Sequence, residues 1–173
     1  RVHPWQGALF LRDRLEYEGF AGNVGMRYDY WFPGREAEQA LSDPTRENIP
    51  VSVREEFYNT TNSFFGRRFK SHLSPRVMVS HPITDNSKFY FNYGEFVQFP
   101  SYRWVYAKLN SISSENFPFQ GNPSLNPQVS VNYEVAGETE FLPGTAAKVT
   151  VFQRDVYDYP NPVTVTPQSG TIT

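Results

Sequence analysis

Between residues 128 and 141 the chain changes polarity at almost every step. Val129, Val131, Tyr133, Val135, Gly137, Thr139 and Phe141 take one parity, and Ser130, Asn132, Glu134, Ala136, Glu138 and Glu140 take the other. A period of two puts neighbours on opposite faces of a strand and fits no helix. The pattern recurs in five further stretches. Each must border something apolar on one side and something aqueous on the other, which constrains the fold more than any other property of the chain.

Residues 8–17 set Leu9, Leu11, Leu15 and Tyr17 against Phe10, Arg12, Arg14 and Glu16, with Asp13 breaking the apolar parity. A Glu18-Gly19 turn leads into residues 20–31, where Phe20, Val24, Met26, Tyr28 and Tyr30 oppose Ala21, Asn23, Arg27 and Asp29, so the two make a tight hairpin. Strands follow at 72–81 and 88–98, joined through "PITDNS"; in the second, Phe89, Phe91 and Tyr93 oppose Lys88, Tyr90 and Asn92. The last pair covers 128–141 and 146–158, joined by "LPGT", whose Pro143 and Gly144 suit a tight reversal. In its second member Ala147, Val149 and Val151 face away from Lys148, Thr150, Phe152 and Arg154, and a short β-like stretch follows at Val163 to Thr166.

The connections alternate short, long, short, long, short. Residues 33–70 form a polar excursion punctuated by Pro33, Pro44 and Pro50, expected as a large loop with one helical turn near Arg35 to Leu41; residues 100–127 read as irregular. Membrane β-barrels combine short periplasmic turns with long extracellular loops. The strands also exceed the roughly 5–6 residues usual in globular sheets and suffice for a tilted span of about 9–11. The expected fold class is therefore all-β: an antiparallel up-and-down meander forming part of a transmembrane β-barrel wall, with long extracellular loops. A slip of one residue would turn Glu134 into the bilayer, at a cost on the order of 2 kcal/mol, so lipid on one side and water on the other enforce the parity.

Composition narrows the function. The formal net charge of -2 gives no broad positive field, so nucleic acid is not an expected partner. There is no cysteine, which excludes disulfides, thiolate catalysis and Cys-ligated zinc. Aromatic residues make up 17% of the chain, and these β-formers also collect at membrane interfaces. No apolar run approaches the roughly 18 residues of a spanning helix. The chain opens on Arg1 without an apolar leader and is expected to be processed or a piece of a longer polypeptide.

The segments "GNVGMRYDYW", "HLSPRVMVSHPITDNSKFYFNYGEFVQFPSY", "GNPSLNPQVSVNYEVAGETEF" and "AAKVTVFQRDVYDY" resemble, in order and spacing, the barrel domain of TonB-dependent outer-membrane receptors. The likeness is to the large type carrying a carboxypeptidase-regulatory-like N-terminal domain. It implies a 22-stranded barrel plugged by an N-terminal domain, importing scarce nutrients across the bacterial outer membrane with energy relayed by TonB. Residues 1–173 are then expected to be a partial barrel of about six strands with no plug domain. The implied partners are the rest of the barrel, the plug, the TonB complex acting through the missing N-terminal part, and outer-membrane lipid.

Candidate chemistry is sparse. His3, His72 and His81 lack paired-ligand spacing, so no metal is expected. Neither a phosphate loop nor a GxSxG elbow occurs, and neither an enzyme nor a cofactor is expected. The Glu55-Glu56 and Glu138-Glu140 pairs suit a polar wall better than a glycosidase cleft. Arg27, Asp29, Glu134, Glu138, Glu140, Lys148 and Arg154 are the candidate lumen-facing charges. Val24, Met26, Tyr28, Phe89, Phe91, Val129, Val131, Tyr133, Val135, Val149 and Val151 are the candidate lipid-facing residues. Phe96, Phe99, Tyr102, Trp104 and Tyr106 are expected to cluster at the strand mouth, as a substrate vestibule or as an interfacial girdle or packed loop. Pro75, which lacks a ladder donor, is expected at the outer rim where pairing begins, and the Asn59–Thr61 glycosylation pattern is read as incidental. The rival reading is a water-soluble β-sheet binding or structural subunit of a cell-surface assembly, with the same valines buried against a second sheet.

Overall fold

A computed structural model describes residues 3–46, 49–109 and 120–162; the stretch at 163–166 lies outside the described residues. Its strands are β1 (Trp5–Tyr17), β2 (Phe20–Phe32), β3 (Asn62–Phe64), β4 (Arg67–Thr84), β5 (Ser87–Gln98), β6 (Gln128–Leu142) and β7 (Thr145–Tyr157). They form one antiparallel sheet in the order β1-β2-β4-β5-β6-β7, with the short β3 paired to the start of β4. The meander is thus the one that the alternation specifies.

The three tight turns fall where the turn chemistry puts them. Glu18 and Gly19 both adopt positive φ, as a two-residue hairpin of the right twist requires, and Gly144 follows Pro143 at φ 77°. All three turns lie at one end of the sheet. The long connections leave from the other end and, among the described residues, hold three helices: α1 (Arg35–Ser42), α2 (Val51–Thr60) and α3 (Tyr102–Tyr106).

Here the sequence reading needs correction. Residues 33–70 are not one large loop: besides α1 they hold α2, the β3–β4 hairpin and the first residues of β4, which begins at Arg67 rather than at 72. In α2 only Phe57 is buried, so the helix carries almost no apolar stripe to betray it. α3 likewise interrupts the stretch read as irregular. Pro75 does not sit at a rim. It lies well inside β4 opposite Met26, and the register to β2 runs on through it, whereas the β4–β5 ladder starts beyond it at Arg76 opposite Gly94. A residue without an N–H is tolerated where one neighbour makes no ladder. Above Pro75, therefore, β4 stays with β2 up to Lys70 opposite Trp31, β5 stays with β6 up to Gln98 opposite Gln128, and the two halves of the sheet diverge.

Register assigns the faces. The rows Val24-Val77-Tyr93-Tyr133 and Val79-Phe91-Val135-Val151 run across the sheet on one side. All eleven candidate lipid-facing residues share that side, and all seven candidate lumen-facing charges share the other. Among the described residues no second sheet covers the apolar side: Val24, Met26, Tyr133, Val135, Val149 and Val151 stay 42–71% exposed, whereas Val131, between Glu95 and Asp155, is only 9% exposed. Burial against a second sheet, as the rival reading required, does not occur there. β1 and β7 are open edges, each with a row of main-chain groups free to pair.

Candidate bore face and extracellular cap

The polar side of the sheet is laced by pairs between neighbouring positions. Asp29, only 6% exposed, accepts from Arg27 Nε at 2.8 Å and Nη2 at 2.9 Å. Arg12 donates to Asn23 Oδ1 at 2.7 Å, and Arg154 to Asn132 Oδ1 at 2.9 Å. The Tyr90 hydroxyl donates to Glu138, and Lys148 sits over the Tyr90 ring. Such charge-assisted bonds across a ladder hold long side chains flat against the wall. Glu140 differs from the other candidate charges: it accepts from the Gly144 amide at 2.7 Å and so braces the β6–β7 turn. A hollow of about 440 Å³ on this side is lined in part by Phe96, Gln98, Gln128, Ser130, Asn132 and Arg154.

The polar side also holds aromatic rings that a simple in-out rule does not foresee. Phe10 and Phe152 project from the edge strands, and Phe96 lies beneath the Arg76 guanidinium at 4.4 Å. On the opposite side, a row of rings crosses the upper end of the sheet: Trp5 stacks on Phe32 at 4.2 Å, and Phe32 on Phe69 at 5.2 Å. Tyr93 and Tyr133 pair at 5.2 Å, and beyond them Val131 lies between Glu95 and Asp155. The apolar band thus gives way to polar groups on β5 and β7 above the two tyrosines. The Tyr93 hydroxyl donates to Glu95, whose other oxygen lies 3.3 Å from His72 Nε2, across the divergence of β4 and β5.

Above the sheet, both long connections condense into one cap. Ala37, Ala40, Leu41, Ile49 and Phe57 from the first pack with Leu109 from the second. α1 supplies its share because Ala37, Ala40 and Leu41 recur at helical spacing, and Gly34 before it adopts φ 95° with His3 backbone close by, a position that strains any L side chain. Arg54 holds the first connection together by donating to the carbonyls of Leu41, Asp43, Arg46 and Ile49. Arg46 donates to the Leu109 carbonyl at 2.6 Å and ties the two connections. The Tyr106 hydroxyl donates to the Pro33 carbonyl at 2.7 Å, and its burial pushes its pKa well up.

The five aromatic candidates do not form one cluster. Phe96 belongs to the polar side of β5, Phe99 packs on Trp31 at 5.9 Å, and Tyr102, Trp104 and Tyr106 ride on α3. Tyr106 is committed to the cap, while Tyr102 is 53% exposed. Sequence reasoning missed Arg54, Trp31 and Lys70. Arg54 satisfies itself with backbone oxygens, and Lys70 with one backbone and one side-chain oxygen more than fifty residues away, so neither leaves a mark on local pattern.

Asp43 in the cap is held below the usual carboxylate range by the Thr45 hydroxyl, then by the Thr45 amide and Arg46. A depressed folded pKa adds stability above the unfolded value, near 3.9, and that stability is lost as pH falls through the folded value. Cap resistance to an acid-stable protease should therefore drop below about pH 4, and the drop should be shallower in Asp43→Asn, which lacks that proton linkage.

The family model described as TonB dependent receptor-like, beta-barrel matches residues 2–173. A search of curated proteins found no match. That family comprises outer-membrane transport proteins of bacteria and not enzymes. With an antiparallel meander whose faces divide by polarity, and a match spanning nearly its whole length, the chain belongs to the TonB-dependent receptor β-barrel family.

Proposed function

We propose that the chain forms part of the wall and extracellular mouth of a nutrient-uptake transporter, of the large type with a carboxypeptidase-regulatory-like N-terminal domain. In this reading Val24, Met26, Tyr28, Phe89, Phe91, Val129, Val131, Tyr133, Val135, Val149 and Val151 face lipid. Arg27, Asp29, Glu134, Glu138, Glu140, Lys148 and Arg154 face the bore. The remaining strands pair with β1 and β7, a plug fills the bore, and TonB acts on that plug. One observation carries the reading: a single sheet exposes an apolar band on one side and paired charges on the other, a state that water alone penalises.

Within the proposed mouth, Tyr102 and the hollow beside Phe96 are the surfaces a solute meets first. No observation favours the water-soluble alternative. The test is fractionation of cells expressing the parent polypeptide, with protease added outside. Recovery in the outer membrane, with cuts confined to residues 33–66 and 99–127, is expected. A detergent-free soluble monomer, or cuts at the Glu18, Asp85 and Pro143 turns in intact cells, would reverse the reading.

A further inference from the structure

The β5–β6 connection does not stand clear of the wall. Lys70, His72 and Ser74 share the polar side of β4 with their register partners Trp31, Asp29 and Arg27 on β2. On the lower part of that side Arg12, Lys88, Glu140 and Lys148 are exposed, as an open wall demands. Near the upper end, by contrast, Trp31 is 1% exposed and Lys70 2%. What lies over them comes from the β5–β6 connection. The Phe99 ring packs on Trp31, and Lys70 Nζ donates to the Ser124 carbonyl at 2.5 Å and to Asn126 Oδ1 at 2.7 Å. Ser124 Oγ in turn donates to Glu56 on α2 at 2.8 Å.

The two described arms of the connection are also locked together. The Gly121 amide donates to the Ala107 carbonyl at 2.8 Å and the Asn122 amide to the Trp104 carbonyl at 2.7 Å. A Cβ at Gly121 would come within 2.6 Å of the Ala107 nitrogen, so only glycine permits that approach.

We propose that residues 99–109 and 120–127 form a fixed strap folded inward over the bore side of the wall, and that Lys70 is its anchor. This rests on the bore assignment made above. A buried ammonium is stable only while hydrogen-bonded, and its two oxygens come from the strap, so anchor and strap hold each other in place. The strap narrows the extracellular mouth permanently; any solute entering passes its outer surface, which bears Tyr102, and does not reach Trp31 or Ser74.

The test uses the full-length receptor in intact cells, with any cysteine outside this cysteine-free chain replaced by serine, and a charged, membrane-impermeant maleimide. Ser74→Cys places a thiol at a fully buried position on the polar side of β4, which it shares with Lys70 and His72, and Asn59→Cys places one on exposed α2. Asn59→Cys should label rapidly and Ser74→Cys hardly at all. Adding Lys70→Met leaves the Ser124 carbonyl and Asn126 amide without their buried donor, and should speed Ser74→Cys labelling about tenfold without altering Asn59→Cys. Asn126→Ala, made on the strap itself, should act in the same direction, with retained heat-modifiable gel mobility reporting an intact barrel in each variant. Labelling of Ser74→Cys at the Asn59→Cys rate while Lys70 is present would overturn the strap. Protection unchanged by both substitutions would overturn the anchor. Failure of Asn59→Cys to label from outside would instead sink the membrane topology on which the strap rests.

Discussion

Arg54→Ala is expected to unravel the helical cap while the sheet below it stays folded. The guanidinium reaches four main-chain carbonyls spread over residues 41–49, three of them at 2.6–2.7 Å and the fourth at 3.3 Å. These bonds are part-buried beside the core of Leu41, Ile49 and Phe57, so water replaces the guanidinium only in part. A hydrogen bond to a charged donor contributes about 1.5–3 kcal/mol, and with partial rehydration the loss should come to about 3–4 kcal/mol. Since local opening and not global unfolding admits a protease, cleavage within residues 33–66 should accelerate roughly a hundredfold. Limited proteolysis of the receptor in vesicles measures this. Arg54→Lys should recover little, because one ammonium cannot span carbonyls that a planar fork reaches. Equal resistance of Arg54→Ala and the parent would show that the apolar core alone holds the cap.

The second large effect concerns the sheet. Val135 sits between Phe91 and Val151 on the apolar side, one step below the Tyr93–Tyr133 pair, and its chain neighbour Glu134 points the other way. Val135→Arg should lower receptor stability in lipid vesicles by about 2 kcal/mol or more, the cost of a charge well inside the hydrocarbon. Glu134→Arg, one residue away on the proposed bore side, should cost under about 1 kcal/mol, because in that assignment the face meets water and polar partners. Urea titration of both variants, followed by gel mobility of the folded barrel, decides the matter. Similar losses at the two positions would mean that lipid does not bathe the valine face.

The parity that motivates this pair of variants was legible in the sequence from end to end. Strands read at 8–17, 20–31, 88–98, 128–141 and 146–158 match β1, β2, β5, β6 and β7 within three residues at every boundary. Two-residue alternation is a local signal, and the pleat converts it directly into faces. β4 was read five residues short at its start because Arg67, Arg68 and Lys70 continue a charged run that resembles loop, although β3 pairs with β4 there. The cap was largely illegible. α2 lacks an apolar stripe, Arg54 bonds to backbone carbonyls, and Lys70 bonds to one carbonyl and one side-chain oxygen that only tertiary structure brings near. The aromatic stretch at 96–106 divides for a related reason: closeness in sequence is not closeness in space, and Phe96 continues a strand, Phe99 turns back onto Trp31, and α3 carries the other three.

Strand β4 keeps company with β2 above Pro75 while β5 keeps company with β6, so the upper wall has a notch instead of a continuous weave. There the circumference is set by side chains, His72 reaching Glu95 and Lys70 reaching the segment after Pro123, in place of amide-to-carbonyl stitching. Side-chain clasps let go singly and a ladder lets go together. Under sideways tension this notch is the place where the rim parts first, and the tear stops at Arg76, where the stitching resumes.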